Sequence, residues 1–177
     1  EISACLVGSE MCIRDRFNFI LYNLSLLTLG FLFHHPIAVT IYIIITGSLR
    51  AVTGGYHCKT RISCYILSYT VFSIYLLTIA TIPMISAYIL IPIYIICWIL
   101  ILVVSPVDTP NKVFSKSAKK TARKKTYIIF FFNSIFTILS LLLHWNKGLI
   151  FIDLSLIICA TGLYTGYISN IRRHHES

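Results

Sequence analysis

The stretch RAVTGGYHCKTRISC, Arg50–Cys64, gathers the side chains of this chain that are best suited to chemistry. It holds a histidine, two cysteines, two adjacent glycines and three basic residues, and apolar sequence runs on either side of it. A cysteine that attacks as a thiolate and a histidine that accepts its proton form a nucleophilic pair. The stretch therefore points to nucleophilic acyl chemistry, with metal binding as an alternative.

Cys64 has three neighbouring features that favour a thiolate. His57 lies seven residues before it, basic residues lie between the two, and a helix is predicted to begin just ahead of it. Thr60 or Ser63 is suited to cap that helix, which would place Cys64 in the first turns, where the helix dipole favours negative charge. We therefore favour Cys64 as the nucleophile.

Geometry constrains how His57 can reach Cys64. On one straight helix the two residues would be separated by about 10.5 Å along the axis, whereas proton transfer needs about 3 Å. His57 is therefore expected on a non-helical segment that folds back over the helix start, and Gly54 and Gly55 permit such a turn. Cys58 is the rival nucleophile, but it adjoins His57 and adjacent side chains usually diverge.

Zinc is the metal that this stretch could bind. His57, Cys58 and Cys64 would supply three ligands, but their spacing is unlike that of structural zinc sites and no nearby pair completes a tetrahedron. We expect no metal and no cofactor. From the residues alone, a surface histidine beside two inert cysteines also stays open.

The composition indicates that these residues are positioned by membrane helices. Of the 177 residues, 57% are hydrophobic and 12% are charged, with a mean hydropathy of +0.83. A water-soluble fold of this size could not bury so much apolar surface. The net charge is +9, but the basic residues punctuate apolar runs instead of covering one face, so we expect no nucleic-acid partner.

Six apolar segments can be drawn, and the lack of period-two alternation favours helices over a barrel. The predicted fold is an all-α, polytopic membrane bundle with four to six transmembrane segments. The second segment looks short, at roughly 20 Å against roughly 30 Å of hydrocarbon, so it could borrow residues at both ends, thin the bilayer or dip in without crossing. The segments cover about 17–33, 37–49, 65–82, 84–104, 127–143 and 149–168.

The basic residues predict the orientation. A polar block, Ser105–Thr126, holds seven of the 15 Lys and Arg residues, which places it in the cytoplasm by the positive-inside rule. Counting spans outward from it puts Arg50–Cys64 on the same side, and Lys147 is the one basic residue that disagrees. The basic block is most simply a determinant of topology that touches anionic lipid, although it could also dock an acidic peptide segment.

The first sixteen residues share no pattern with the rest of the chain. Their end, SEMCIRDR, resembles translated adapter read-through, and the chain has no initiator methionine. We interpret residues 1–16 as a non-native or disordered N-terminus, exclude Cys5 and Cys12 from functional reasoning, and treat 17–177 as a single membrane-embedded domain.

The pattern R-x3-GG-x-H-x6-C, formed by Arg50, Gly54, Gly55, His57 and Cys64, resembles the signature of the AgrB family (accessory gene regulator B). These are bacterial membrane cysteine endopeptidases that process quorum-sensing propeptides. The resemblance includes the order of apolar segments and a Pro-containing motif, SPVDTPNK, that opens the basic loop. It covers about Phe17 to Ile171, and departs from the family at the N-terminus, where members carry a short amphipathic segment.

The resemblance implies specific roles. His57 matches the family's catalytic histidine and Cys64 its nucleophile, while Arg50 and Gly55 match residues whose replacement harms activity. It implies cleavage of a short AgrD-like propeptide near its C-terminal end, through a thioester, followed by closure of a thiolactone or lactone. The site is expected at the cytoplasmic face of a bacterial cell membrane.

A second class of function stays open, which is a non-enzymatic membrane transporter or peptide-export component. Against it, the apolar segments hold almost no ionisable residue that could line a pathway, Asp153 being the exception. Gly162 and Gly166 form a small-xxx-small pair that lets helices approach closely, and for this reason a homodimer is also left open.

Overall fold

The structure, a computed structural model, is all-helical over the residues it describes, which are 17–18, 20–54, 60–83, 85–107 and 116–176. The predicted all-α fold is confirmed. Five of the six helices in these ranges, α2 to α6, are long and apolar enough to cross a membrane, so the chain is a multi-pass membrane protein. The helices are α1 Ile20–Leu32, α2 Pro36–Thr53, α3 Arg61–Thr81, α4 Ala87–Val104, α5 Lys116–Leu142 and α6 Asn146–Glu176.

Several helices extend beyond the apolar runs that predicted them. The second segment borrows residues at both ends of its apolar run, which was one of the three alternatives: α2 has 18 residues and continues to Thr53, a length of about 27 Å. The basic block is not wholly a loop, since α5 begins at Lys116. Lysine, arginine and alanine favour helix as much as leucine does, so the end of an apolar run marks the edge of the lipid and not the end of the helix.

The turns before α2 and α6 share one backbone design. In each, a histidine two residues after the end of the preceding helix has positive φ, 60° at His34 and 52° at His144. Histidine tolerates this left-handed conformation better than most residues. The next backbone N–H then bonds five residues back, as in a Schellman motif: His35 N to Gly30 O at 2.9 Å, and Trp145 N to Ser140 O at 2.8 Å.

The chain divides into two compact units, residues 1–40 and residues 41–177. In the first unit, α1 and the start of α2 approach each other closely at Gly30. A Cβ added there would lie 2.8 Å from Val39 Cγ2, which is closer than real Cβ contacts come. Glycine at position 30 therefore lets this pair of helices pack.

In the second unit, α6 is the central helix and packs against α3, α4 and α5. Of its spanning window, 61% is buried, compared with 17% for α3 and for α5. The side chains that α3 and the part of α5 from Tyr127 onward leave exposed are largely apolar, as expected for surfaces that face lipid. The core joins α2, α4 and α6 through Ile45, Leu49, Trp98, Ile101, Ile152, Leu156 and Leu163, among others.

Aromatic rings hold α3 against α2. The Tyr42 ring lies 4.7 Å from that of Tyr75 and 5.5 Å from that of Phe72, measured between centroids. Tyr75 also forms a side-chain hydrogen bond with Ser155 of α6. These contacts fix the second half of α3, whereas the first turns, which carry Cys64, expose Ile62 and most of their neighbours.

Candidate active site

The start of α3 is capped as the sequence predicts. Thr60 has extended backbone angles, φ −117° and ψ 150°, and its Oγ1 accepts a hydrogen bond from the Ser63 backbone N–H at 3.2 Å. The Cys64 N–H donates to the Thr60 carbonyl at 3.2 Å, which is the first bond of the helix. Cys64 therefore lies in the first turn, where unpaired N–H groups and the helix dipole stabilise a negative charge.

The Cys64 thiol is both unbonded and accessible. It is a free cysteine with a partly exposed side chain, whereas Cys97 and Cys159 are free but buried. A reactive cysteine needs contact with its substrate as well as a favourable field. Among the described cysteines, Cys64 alone combines a partly exposed side chain with a place in the first turn of a helix.

The end of α2 forms the other side of the site. Gly54 follows the last helical residue and has φ 77°, a left-handed conformation that glycine adopts without strain. This residue turns the chain out of the helix axis, as glycines after helix ends commonly do. Gly54 thus has the left-handed conformation that a turn needs, while Gly55 and the expected fold-back of the segment that carries His57 lie outside the described residues.

Arg50 lies in the last turn of α2 and reaches across to α6. Its Nη2 atom is 3.7 Å from the point that a Cβ on Gly162 would occupy, so the guanidinium passes close to that glycine. The sequence pattern singled out Gly162 for a helix contact, and the structure shows that its neighbour is Arg50 of the same chain. No short sequence motif links the two positions.

The segment after α4 anchors the end of α2. The Val107 N–H donates to the Thr53 carbonyl at 3.0 Å, and Val107 is buried in the core. Thr53 is buried too, and its hydroxyl donates to the Leu49 carbonyl at 2.9 Å. The end of α2 is therefore held both by a hydrogen bond within α2 and by a hydrogen bond from the segment that follows α4. Thr53 and Val107 were not identified from the sequence, because no residue type marks such a contact.

Five residues, 55–59, join the turn at Gly54 to the cap at Thr60. They include His57, Cys58 and Gly55, which all lie outside the described residues. The pairing of His57 with Cys64 stays a prediction. The structure describes the residues on either side of the segment that carries His57, which are Gly54 and Thr60.

A metal centre gains no support from the residues that the structure describes. Within them, no group of three or more His, Cys, Asp or Glu side chains could hold a metal ion. His57 and Cys58 lie outside this set, so the zinc alternative rests on the sequence alone.

The family model of AgrB, accessory gene regulator B, matches residues 10–165 of the chain. The chain belongs to the AgrB family. The match includes α1 to α5 and most of α6, and with them Arg50, Gly54 and Cys64. No curated protein and no solved structure matches the chain significantly. Membership of the AgrB family implies a role in propeptide processing.

Proposed function

We propose that this AgrB-family protein is a membrane cysteine endopeptidase that cleaves a short quorum-sensing propeptide and supports its cyclisation. The position of Cys64 supports this proposal. Cys64 is a free, partly exposed thiol in the first turn of a capped helix. Five residues, 55–59, separate the cap of this helix from Gly54, where the chain turns at the end of α2. An inert membrane cysteine would more commonly lie buried in the middle of a helix, as Cys159 does.

The proposed reaction begins with proton transfer from the Cys64 thiol to the imidazole of His57. The thiolate then attacks a carbonyl carbon near the C-terminal end of the propeptide. The C–N bond breaks, the amine of the C-terminal fragment takes the proton from the imidazolium, and the acyl group remains on Cys64 as a thioester. The start of α3 contributes its positive dipole end, which favours the thiolate.

Ring closure proceeds from the thioester. An internal Cys or Ser side chain of the propeptide attacks the acyl carbon, and Cys64 leaves as a thiolate that takes back one proton. The product is a thiolactone or a lactone. Exchange of one thioester for another is nearly balanced in energy, so this step requires no ATP and no cofactor.

The site is proposed to face the cytoplasm. Arg50 lies in the last turn of α2 and the basic residues lie in the first half of α5, and the Thr53–Val107 hydrogen bond supports their location at one membrane face. The positive-inside rule assigns such a face to the cytoplasm. This agrees with a substrate that is made inside the cell, an AgrD-like propeptide.

Co-expression with the cognate propeptide tests the proposal. The full protein should release the C-terminal fragment, while Cys64→Ala and His57→Ala should not. Cys58→Ala is the matched control, since it removes the neighbouring thiol and should retain cleavage. Processing that survives in Cys64→Ala would remove the assignment, and transport of labelled propeptide by that variant would favour an export component instead.

A further inference from the structure

A cavity of about 240 Å³ lies between the end of α4 and the first half of α5, outside the candidate active site. One side of it is polar and the other apolar, and it is open to the surroundings. It is lined by Leu102, Val103, Ser105, Arg123, Thr126 and Tyr127.

The polar side presents a hydroxyl that lacks a strong partner. Ser105 and Thr126 are almost completely buried, at 2% and 1% exposure, and their hydroxyl oxygens are 3.5 Å apart. Hydroxyl hydrogen bonds are usually about 2.7–2.8 Å long, so this contact is weak. The Thr126 hydroxyl donates to the Ala122 carbonyl at 3.1 Å, which leaves the Ser105 hydroxyl able to donate to a closer acceptor.

Arg123 adds a cation at the edge of the cavity. Its side chain is exposed, and Asp153, the one acidic side chain that the structure describes, lies in the buried part of α6. Arg123 therefore has no carboxylate partner among the described side chains. A guanidinium presents its N–H donors in a planar fork that matches a phosphate. Three further exposed cations surround it on α5: Lys120, Lys124 and Lys125.

The apolar side belongs to the surface that faces lipid. Val103 is 73% exposed and Tyr127 is 58% exposed, and both lie on helices long and apolar enough to span the bilayer. An occupant of the cavity thus meets anion-binding groups on one side and hydrocarbon on the other. A phospholipid has this distribution of chemistry, whereas the acidic end of a peptide has no apolar tail to place against Val103.

We propose that this cavity is a binding site for an anionic phospholipid, with the lipid phosphate between Arg123 and the Ser105 hydroxyl and an acyl chain along Val103 and Tyr127. The site differs from a general attraction of lipid to the basic face, because it requires particular residues. It does not depend on peptidase activity, and it lies next to the segment that anchors α2 through Val107.

The test measures lipid that stays bound to the full-length protein. Protein in nanodiscs of equal parts dioleoylphosphatidylglycerol and dioleoylphosphatidylcholine is released into detergent, and retained lipid is quantified by native mass spectrometry. We expect one phosphatidylglycerol to be retained in preference to phosphatidylcholine. Arg123→Gln should lower this retention about fivefold, which is the effect of one interfacial basic residue.

Lys124→Gln is the matched control, because it removes the same charge one residue along the helix and does not line the cavity. It should retain lipid as the unaltered protein does. Ser105→Ala should lower retention without changing the net charge, and size-exclusion elution shows that each variant is folded. All variants can be made on a Cys64→Ala background, so that the outcome is independent of the proposed peptidase.

Three results would overturn the lipid site. An equal loss of retained phosphatidylglycerol in Arg123→Gln and in Lys124→Gln would show general electrostatic attraction. Retention of phosphatidylcholine equal to that of phosphatidylglycerol would show that anionic charge is not recognised. A soluble acidic peptide that displaces bound phosphatidylglycerol one for one from the unaltered protein but not from Arg123→Gln would assign the cavity to a peptide.

Discussion

The start of α3 and the middle of α6 each carry a free cysteine on a membrane helix, in opposite surroundings. Cys64 is partly exposed and lies in a first turn with a threonine cap, whereas Cys159 is buried in the core. At a helix start the first backbone N–H groups lack partners in the helix and stabilise an anion, while in a helix middle they are all bonded. The two cysteines therefore differ in their surroundings and not in residue type, and we propose that this difference makes Cys64 the reactive one.

The largest effect on cleavage is expected when the thiols of Cys64 and Cys159 are removed one at a time. Cys64→Ala should lower the rate of propeptide cleavage at least about a thousandfold, because a covalent nucleophile has no substitute. Cys159→Ala should change the rate little, since that thiol only fills space in the core. Rates are measured by mass spectrometry of propeptide fragments in proteoliposomes. A comparable loss from both variants would mean that the two positions do not differ as described.

The contact between Arg50 of α2 and Gly162 of α6 lies three residues along α6 from Cys159, and substitution at Gly162 tests its role. Gly162→Ala should be tolerated, because the new Cβ would make an ordinary 3.7 Å contact with the guanidinium. Gly162→Leu should displace Arg50 and lower kcat/KM about tenfold or more, as small misplacements near an active site do. Full activity in Gly162→Leu would show that the place of Arg50 beside α6 does not matter for catalysis.

Asp153 places a buried carboxyl group on α6. It is 4% exposed, and its Oδ2 atom has no hydrogen-bond partner among the described residues. An ionisable side chain in a spanning helix is costly, so Asp153→Asn should raise the free energy of unfolding by about 1–2 kcal/mol. Thermal unfolding in detergent measures the change. A less stable Asp153→Asn variant would show that the carboxyl group has a favourable partner.

The cap at Thr60 has the smallest expected effect. Thr60→Ala removes the acceptor for the Ser63 N–H and should destabilise the first turn of α3 by about 1 kcal/mol. Labelling of Cys64 by iodoacetamide should then slow about threefold, because the thiolate loses part of an ordered helix start. Thr60→Ser keeps the acceptor and should label at the original rate. Equal slowing in both variants would assign the effect to something other than the cap.

Features that depend on neighbouring residues in the chain could be predicted from the sequence. The apolar runs predicted the spanning helices, and either Thr60 or Ser63 was predicted to cap α3, of which the structure shows Thr60. Gly54 was predicted to turn the chain because few other residues adopt a left-handed conformation at little cost. Each of these features depends on local backbone preferences.

Features that depend on packing between helices could not be predicted in this way. The Arg50–Gly162 contact joins α2 to α6, and the Thr53–Val107 bond joins α2 to the segment after α4. No property of either partner alone marks these contacts. The start of α5 at Lys116 was missed for another reason. Hydropathy indicates where the lipid ends, but a lysine-rich sequence can remain helical beyond that point.

The central claim is that Cys64 carries the acyl group of the propeptide, and intact mass measurement of the enzyme during turnover tests it directly. Protein quenched in acid shortly after mixing with propeptide should gain the mass of the N-terminal fragment. The adduct should be released by hydroxylamine, map to Cys64, persist in Cys58→Ala and be absent in Cys64→Ala. An adduct on another residue, or cleavage by Cys64→Ala at the normal rate, would contradict the account.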